Sequence, residues 1–334
     1  MLNVLYQFNE KYAPYAGTSI TSLFTHHKDE DVLVYILGEG LSEDSVKRFE
    51  ALSAQYDQQI RILDTAPVIE KVKAWGIPAY RGAYSANLRL FLPYFLDEDV
   101  ERILYLDADT IVRGSVKPLY DLDLSGKTIA MILDSLGRAY KRKQLGFSEE
   151  KPYYNSGVIL FDLKKWRRES WSEKIITHVT NNEWIYTSPD QDLLNVVCAD
   201  AIMTVPAKFN YQPVHAVFSD RTYFNCYGRA GYYTEEELAL SREDVRIYHS
   251  LRFVGEFPWD AASVHPYTKL FDRYLRRSPW SDYQKEKAES TPAMKVEKFL
   301  YRILPKSLYL RLFVFFHNRY LNARPEADRS KQTV

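Results

Sequence analysis

Short apolar runs of strand length alternate with longer stretches of helical pattern over the first two-thirds of the chain. Leu2–Phe8 (LNVLYQF), Val32–Leu37 (VLVYIL) and Ile60–Leu63 read as buried strands. Gly17–Thr25 reads as a helix after an Asn9–Pro14 loop, and Ser42–Tyr56 as a helix opened by Ser42 and Glu43. Ala83–Phe95 is a further helix candidate and carries Arg89. Beyond it, Ile129–Leu133 is a strand ending in Asp134, and Asn155, Ser156 and Gly157 read as a polar turn before the buried run Val158–Phe161. Ser188–Val197 reads as a helix with Ser188 as cap, Pro189 as its first residue and Asp190, Gln191 and Asp192 in its first turn. Ile202–Val205 is a short strand, Lys208–Pro213 (KFNYQP) an aromatic loop, and Val245–His249 a last strand.

Strands alternating with helices predict an α/β fold of parallel strands joined by right-handed crossovers. A strand, a loop and then a helix open the chain as a mononucleotide-binding unit does. No G-x-G-x-x-G follows the first strand, so a glycine-rich dinucleotide site is not expected.

The most specific chemistry lies in Arg102–Thr110 (RILYLDADT), where an apolar strand ends in two carboxylates, Asp107 and Asp109, separated by Ala108. Residues i and i+2 of a strand project to one side, so both acids face one point beyond the sheet edge. Two hard anionic ligands suit Mg²⁺ or Mn²⁺, with the other positions left to water and substrate phosphate. A solvated turn is the competing account of a D-x-D pattern taken alone. His249, at the end of the last strand, would be a sensible third protein ligand for Mn²⁺.

Composition narrows the class. At 46% apolar and 26% charged residues, wholesale disorder is excluded. The two cysteines, Cys198 and Cys226, have neither metal-ligand nor redox spacing and fit a reducing compartment. Net charge is zero but uneven: Lys295–Arg324 holds seven Lys and Arg against the single Glu297, which points to an anionic partner for the tail. The N-terminus lacks the charged and apolar regions of a signal peptide, and no window has the roughly 18 apolar residues of a spanning helix.

Taken in order, these segments resemble glycosyltransferase family 8, the retaining nucleotide-sugar enzymes. The resemblance runs from about Met1 to about Trp280 and rests on YAPYAGTSI after the first strand, the Arg89 segment, ILYLDADTIV, YYNSGVILFDLKKWR, SPDQDLLN, FNYQP, and a His followed by Pro258-Trp259. It implies a GT-A-like, Rossmann-type sandwich with a mixed, mainly parallel central sheet, to which the residue pattern adds a helical C-terminal tail. It also implies that Asp107, Asp109 and His249 hold a divalent cation, usually Mn²⁺, against the diphosphate of a UDP-hexose. Arg89, Asn155, Asp190 and Gln191 fall where the family contacts the donor sugar, with Gln191 nearest the anomeric carbon and Asp190 a possible nucleophile. Gln7, Asn9 and Tyr12 take the place of the uracil and ribose contacts, Ala108 and Gly255 line the donor, and Asp134 looks toward the acceptor. Two residues depart from the family: Asn9 stands where an acid is common, and Phe257 where a Lys precedes the Pro-Trp. Arg252 is the candidate replacement for that Lys.

The expected organisation is a catalytic domain over 1–280 and a basic, aromatic tail over 281–334, with a hinge after Trp280. Within the tail, Lys295–Leu304 is amphipathic and Leu308–Phe316 more apolar, the composition of helices lying in a membrane interface. The bland alternative is a helix pair packed on the domain or on a second subunit. The resulting expectation is a cytoplasmic hexosyltransferase, peripheral on the inner face of the cell membrane, that transfers galactose or glucose to a glycan or lipid-linked glycan of lipopolysaccharide, capsule or another cell-surface polysaccharide. No nucleic-acid partner is expected. The rivals are a nucleotide-sugar-binding protein with weakened chemistry and a self-glycosylating primer of the glycogenin type.

Overall fold

A computed structural model describes residues 1–80, 82–289 and 291–323. Seven strands form one sheet in the order β3-β2-β1-β4-β7-β6-β8, namely β1 (Leu2–Asn9), β2 (Val32–Glu39), β3 (Gln59–Leu63), β4 (Arg102–Leu106), β6 (Ile129–Leu133), β7 (Tyr154–Asp162) and β8 (Ile202–Thr204). The pairings β1/β2, β2/β3, β1/β4 and β6/β8 are parallel, and β7 runs antiparallel to both of its neighbours. Helices cover the sheet, so β1, β2 and β4 carry apolar side chains on both faces and are buried nearly throughout. This is the mixed, mainly parallel α/β sandwich expected.

A second, two-stranded sheet pairs β5 (Thr110–Val112) with β9 (Ile247–His249), antiparallel, with Thr110 opposite His249. Because β5 starts one residue after Asp109, this pairing carries the distant end of the chain to the acidic turn.

Several elements differ from the sequence reading. The first helix spans Ala13–Thr25 rather than starting at Gly17, and a 3₁₀ turn over Glu10–Tyr12 precedes it. Pro14 sits in its first turn, where the missing N–H has no helical partner to lose. Gly17 is required there, because a Cβ would overlap the ring of Trp280. Ala83–Phe95 is not an α-helix but a 3₁₀ segment, Ser85–Tyr94, broken at Phe91. Pro93 removes a donor, and Gln7 takes two of the segment's backbone groups: Nε2 donates to the carbonyl of Ala86 (2.8 Å) and Oε1 accepts from the N–H of Arg89 (2.7 Å). Asn155–Gly157 is not a turn before a strand but lies inside β7, at a bulge where the pairing with β6 shifts between Met131/Ile159 and Ile132/Asn155. Ser188 makes no side-chain cap. The carboxylate of Asp192 instead accepts from the N–H groups of Thr187 (3.1 Å) and Ser188 (2.9 Å).

Beyond Trp280 the chain is tied to the body. Arg48 bonds both carboxylate oxygens of Asp282 (2.6 and 2.9 Å), and Tyr15 and Tyr283 share a hydroxyl contact of 2.9 Å. Two helices follow, Pro292–Ile303, capped by Thr291, and Lys306–Ala323. They pack through buried Tyr309, Leu310 and Val314, Tyr309 stacking on Phe218. Val296, Phe299, Ile303, Leu308, Phe315 and Phe316 face outward, 44–63% exposed. No described helix is long and apolar enough to cross a membrane. Arg324, the last charge of the basic stretch, lies outside the described residues.

Candidate active site and metal centre

The turn after β4 is fixed by backbone: the N–H of Asp107 donates to the carbonyl of Gly157 (2.8 Å), and the N–H and hydroxyl of Thr110 donate back to the carbonyl of Asp107 (3.1 and 2.8 Å). The β5/β9 ladder then brings in His249, 1% exposed, with Nε2 3.1 Å from Oδ1 of Asp109 and 3.6 Å from Oδ2 of Asp107. One ligand atom from each of Asp107, Asp109 and His249 lies within 4.8 Å of the others, an arrangement that could hold a metal ion. The space is built for the imidazole: a Cβ at Gly157 would overlap Cε1 of His249 and come within 3.0 Å of Oδ2 of Asp107. Two carboxylates and an imidazole are also the right donor chemistry for Mn²⁺.

Electrostatics divide the oxygens of Asp107. Its Oδ1 accepts from the hydroxyl of Tyr105 and pairs with Nη2 of Arg89 at 3.0 Å, leaving Oδ2 toward His249. Burial pushes the Asp107 carboxyl up, opposed by Arg89. Burial alone would raise Asp109 too, but His249 beside it holds it below the usual carboxylate range. Burial works against the charged imidazole of His249, yet Asp109 and Asp107 together raise it.

Arg89 is a buried strut rather than an exposed cation. Its guanidinium lies 3.9 Å over the Tyr105 ring, donates to the carbonyl of Ser156 (2.7 Å) and joins Asp107 to Asp190, whose Oδ2 is 3.4 Å from Nη1. That same oxygen of Asp190 accepts from the Ser156 hydroxyl at 2.8 Å. Asn155 donates to Oδ2 of Asp134 (3.2 Å) and Oε1 of Gln191 (3.3 Å), so Asp107, Asp109, Arg89, Asp134, Asn155, Asp190, Gln191 and His249 form one cluster. Ala108 is buried between the two acids.

The other sequence candidates do not meet this cluster side chain to side chain; Gln7 reaches it only through the Arg89 backbone. Gln7 is committed to the 3₁₀ segment that carries Arg89. Asn9 closes β1 with its Oδ1 buried and unpartnered. Tyr12 sits edge-on to Tyr15 and Trp259. Arg252 is exposed, 5.6 Å over the ring of Phe257, which itself stacks on Trp259 at 4.6 Å. Gly255 holds a left-handed φ of 73° against Met294. The sequence reading gave no individual role to Tyr105, Ser156, Asp192 or Asn210. All four had a signal, as polar residues inside the quoted motifs ILYLDADTIV, YYNSGVILFDLKKWR, SPDQDLLN and FNYQP.

Comparison with known proteins agrees with this geometry. The profile described as Glycosyl transferase family 8 matches residues 3–236. The chain belongs to glycosyl transferase family 8. This glycosyltransferase is 26% identical to General stress protein A of Bacillus subtilis over 82% of its own length and 92% of that protein's. It is 26% identical to a lipopolysaccharide 1,2-glucosyltransferase of Escherichia coli, covering 86% of this chain and 82% of that one. A solved structure of LgtC superposes with a TM-score of 0.67 at 22% identity, over 83% of this chain and 96% of that one, and supports the fold. LgtC is described elsewhere as a galactosyltransferase in complex with donor and acceptor sugar analogues. Another solved structure, the bifunctional glycosyltransferase WbbM, is spanned by this chain over half its length.

Proposed function

We propose that this family 8 glycosyltransferase moves glucose or galactose from a UDP-hexose to a hydroxyl of a cell-surface glycan precursor, with retention at the anomeric carbon. The observation that carries the reading is the convergence of Asp107, Asp109 and His249 beside Arg89, Asp190, Asn155 and Gln191. The three ligands would hold Mn²⁺ or Mg²⁺, which would supply charge neutralisation for the departing diphosphate. The glucosyltransferase relative makes lipopolysaccharide the favoured acceptor class.

The residues divide the work. Arg89 pairs with Asp107 and Asp190 and holds both carboxylates in place. Asn155, Asp190 and Gln191 meet the sugar, Asp134 faces the acceptor side, and Asn9 with Tyr12 receives the nucleoside. Oε1 of Gln191 already accepts from the Ser156 N–H (3.1 Å) and from Asn155 (3.3 Å), and an amide so engaged is a poor nucleophile. Front-face attack is therefore favoured: the acceptor oxygen bonds to the anomeric carbon as its bond to the UDP oxygen breaks, and the acceptor proton passes to the departing phosphate. Asp190, half engaged by Ser156 and Arg89, is the alternative nucleophile. Arg252, 5.6 Å over the Phe257 ring, would be the cation that replaces the family Lys.

The outward apolar row of the tail, interleaved with Lys295, Arg302, Arg311 and Arg319, supports docking on an anionic membrane from the cytoplasmic side. One observation favours a second reading, a sugar-nucleotide-binding protein of weak activity: the position of the family Lys is filled by Phe257, stacked on Trp259. Release of UDP from a donor panel with Mn²⁺ and glycan acceptors separates them. Acceptor-dependent release supports the transferase, and donor binding without release supports the binder.

A further inference from the structure

We propose that Asn210 is the positioning residue of His249, fixing the imidazole so that Nδ1 carries the proton and Nε2 turns its lone pair to the point between Asp107 and Asp109. The inference rests on the metal reading of that triad and adds a residue to which FNYQP had given no part.

The assignment starts from a backbone group, which admits no ambiguity of donor and acceptor. The N–H of Gly157 donates to one side-chain atom of Asn155 at 3.0 Å, so that atom is the oxygen Oδ1. The same Oδ1 lies 2.8 Å from the amide of Asn210, which must present its nitrogen there. The oxygen of Asn210 is thereby turned to Nδ1 of His249, 2.9 Å away, and an oxygen can be met only by an N–H. The neutral imidazole then has its free lone pair on Nε2, the nitrogen that faces both carboxylates. A flip at Asn210 would set its oxygen against the oxygen of Asn155, which the Gly157 N–H fixes. Asn155, Asn210 and His249 are 5%, 1% and 1% exposed, so water is a poor substitute for any of these bonds.

The same direction runs on past Asn155. Its Nδ2 donates to Oε1 of Gln191, Nε2 of Gln191 donates to the hydroxyl oxygen of Tyr153 (2.9 Å), and that hydroxyl donates to Oδ1 of Asp192 (2.6 Å). Every donor from His249 onward points toward Asp192, a fully buried carboxylate whose other oxygen holds Lys141. The second N–H of the relay amides is thus set from the same end, and the donor-sugar residue and the metal ligand share one orientation.

The test is Mn²⁺ binding to the purified protein without nucleotide, followed by electron paramagnetic resonance. Asn210→Leu removes the acceptor at similar volume and should weaken Mn²⁺ binding about 10–100-fold, the usual cost of losing a partner of a ligand histidine. Asn210→Asp keeps an oxygen against Nδ1–H but loses the donor to Oδ1 of Asn155, so it should lose clearly less Mn²⁺ affinity than Asn210→Leu. Equal affinity in a folded Asn210→Leu protein would overturn the assignment. If that variant does not fold, long-range ¹H–¹⁵N spectra of the unaltered, Mg²⁺-loaded protein decide: a protonated Nδ1 on His249 supports the proposal, and a protonated Nε2 overturns it. An unaltered protein that takes up no divalent cation would instead sink the metal reading itself.

Discussion

Thr110 and His249 face each other across the two-stranded β5/β9 ladder, although 139 residues separate them along the chain. That one pairing brings His249 to Asp107 and Asp109, because Asp109 precedes Thr110 and the carbonyl of Asp107 accepts from the Thr110 hydroxyl.

Asp109→Ala should abolish metal-dependent donor binding and lower kcat/KM by more than the roughly 10–100-fold typical of outer-shell partners. Asp109 is the carboxylate nearest Nε2 of His249, so its loss also frees the imidazole. UDP release and Mn²⁺ titration check this, and a fully active variant would refute the metal assignment.

Gly157→Ala should weaken Mn²⁺ binding more than it lowers the melting temperature. The added methyl would enter the space of the His249 ring and approach Oδ2 of Asp107, displacing a ligand without removing one. Metal affinity set against thermal unfolding of the metal-free protein distinguishes this from general destabilisation.

Mn²⁺ uptake should release protons and weaken as pH falls. His249 in the metal-free protein has its pKa raised by Asp109 and Asp107 against the opposing effect of burial. A raised imidazole pKa stabilises the metal-free fold below the unfolded value of about 6.5, and that contribution is lost as pH rises through the folded value. Asp109, held low, contributes above the unfolded carboxylate pKa and loses its contribution as pH falls through its own depressed value. The metal needs the neutral imidazole, so it competes with the proton over the imidazole range. Calorimetry in two buffers of different ionisation enthalpy measures the released protons; no buffer dependence at pH 7 would contradict the raised pKa.

Lys141→Met should cost about 3–5 kcal/mol of stability, the range for stranding one partner of a buried ion pair. Nζ of Lys141 lies 2.6 Å from Oδ2 of Asp192, with the side chains 8% and 0% exposed. Urea denaturation of the variant gives the number, and a loss below about 1 kcal/mol, the level of an exposed pair, would show that the site hydrates.

Phe299→Ser combined with Phe316→Ser should reduce sedimentation with anionic vesicles while leaving the fold and UDP release with a water-soluble acceptor intact. Both residues are at least 60% exposed, so the core does not rest on them. Unchanged sedimentation would remove the membrane reading of the tail.

Much of this was legible in the sequence because it is local. Apolar runs such as VLVYIL, short and rich in β-branched residues, read as strands buried on both faces, and Asp107 and Asp109 share a side because i and i+2 of an extended chain do. The ordered motifs carried the family. What misled was also local: the pattern of Ala83–Phe95 fits a helix, but Gln7, some 80 residues earlier, takes its backbone groups, and the polar Asn155–Gly157 belongs to a bulge inside a strand.

The chain by itself therefore determined the sheet, the acidic turn and the three residues that converge as candidate ligands. Only the tertiary structure decided that Arg89 is a buried brace between Asp107 and Asp190, that Gly157 makes room for an imidazole, and that Asn210 meets Nδ1 of His249. Those are contacts between segments with no shared periodicity, made by backbone pairing and side-chain amides whose direction is set only when the last donor finds its acceptor.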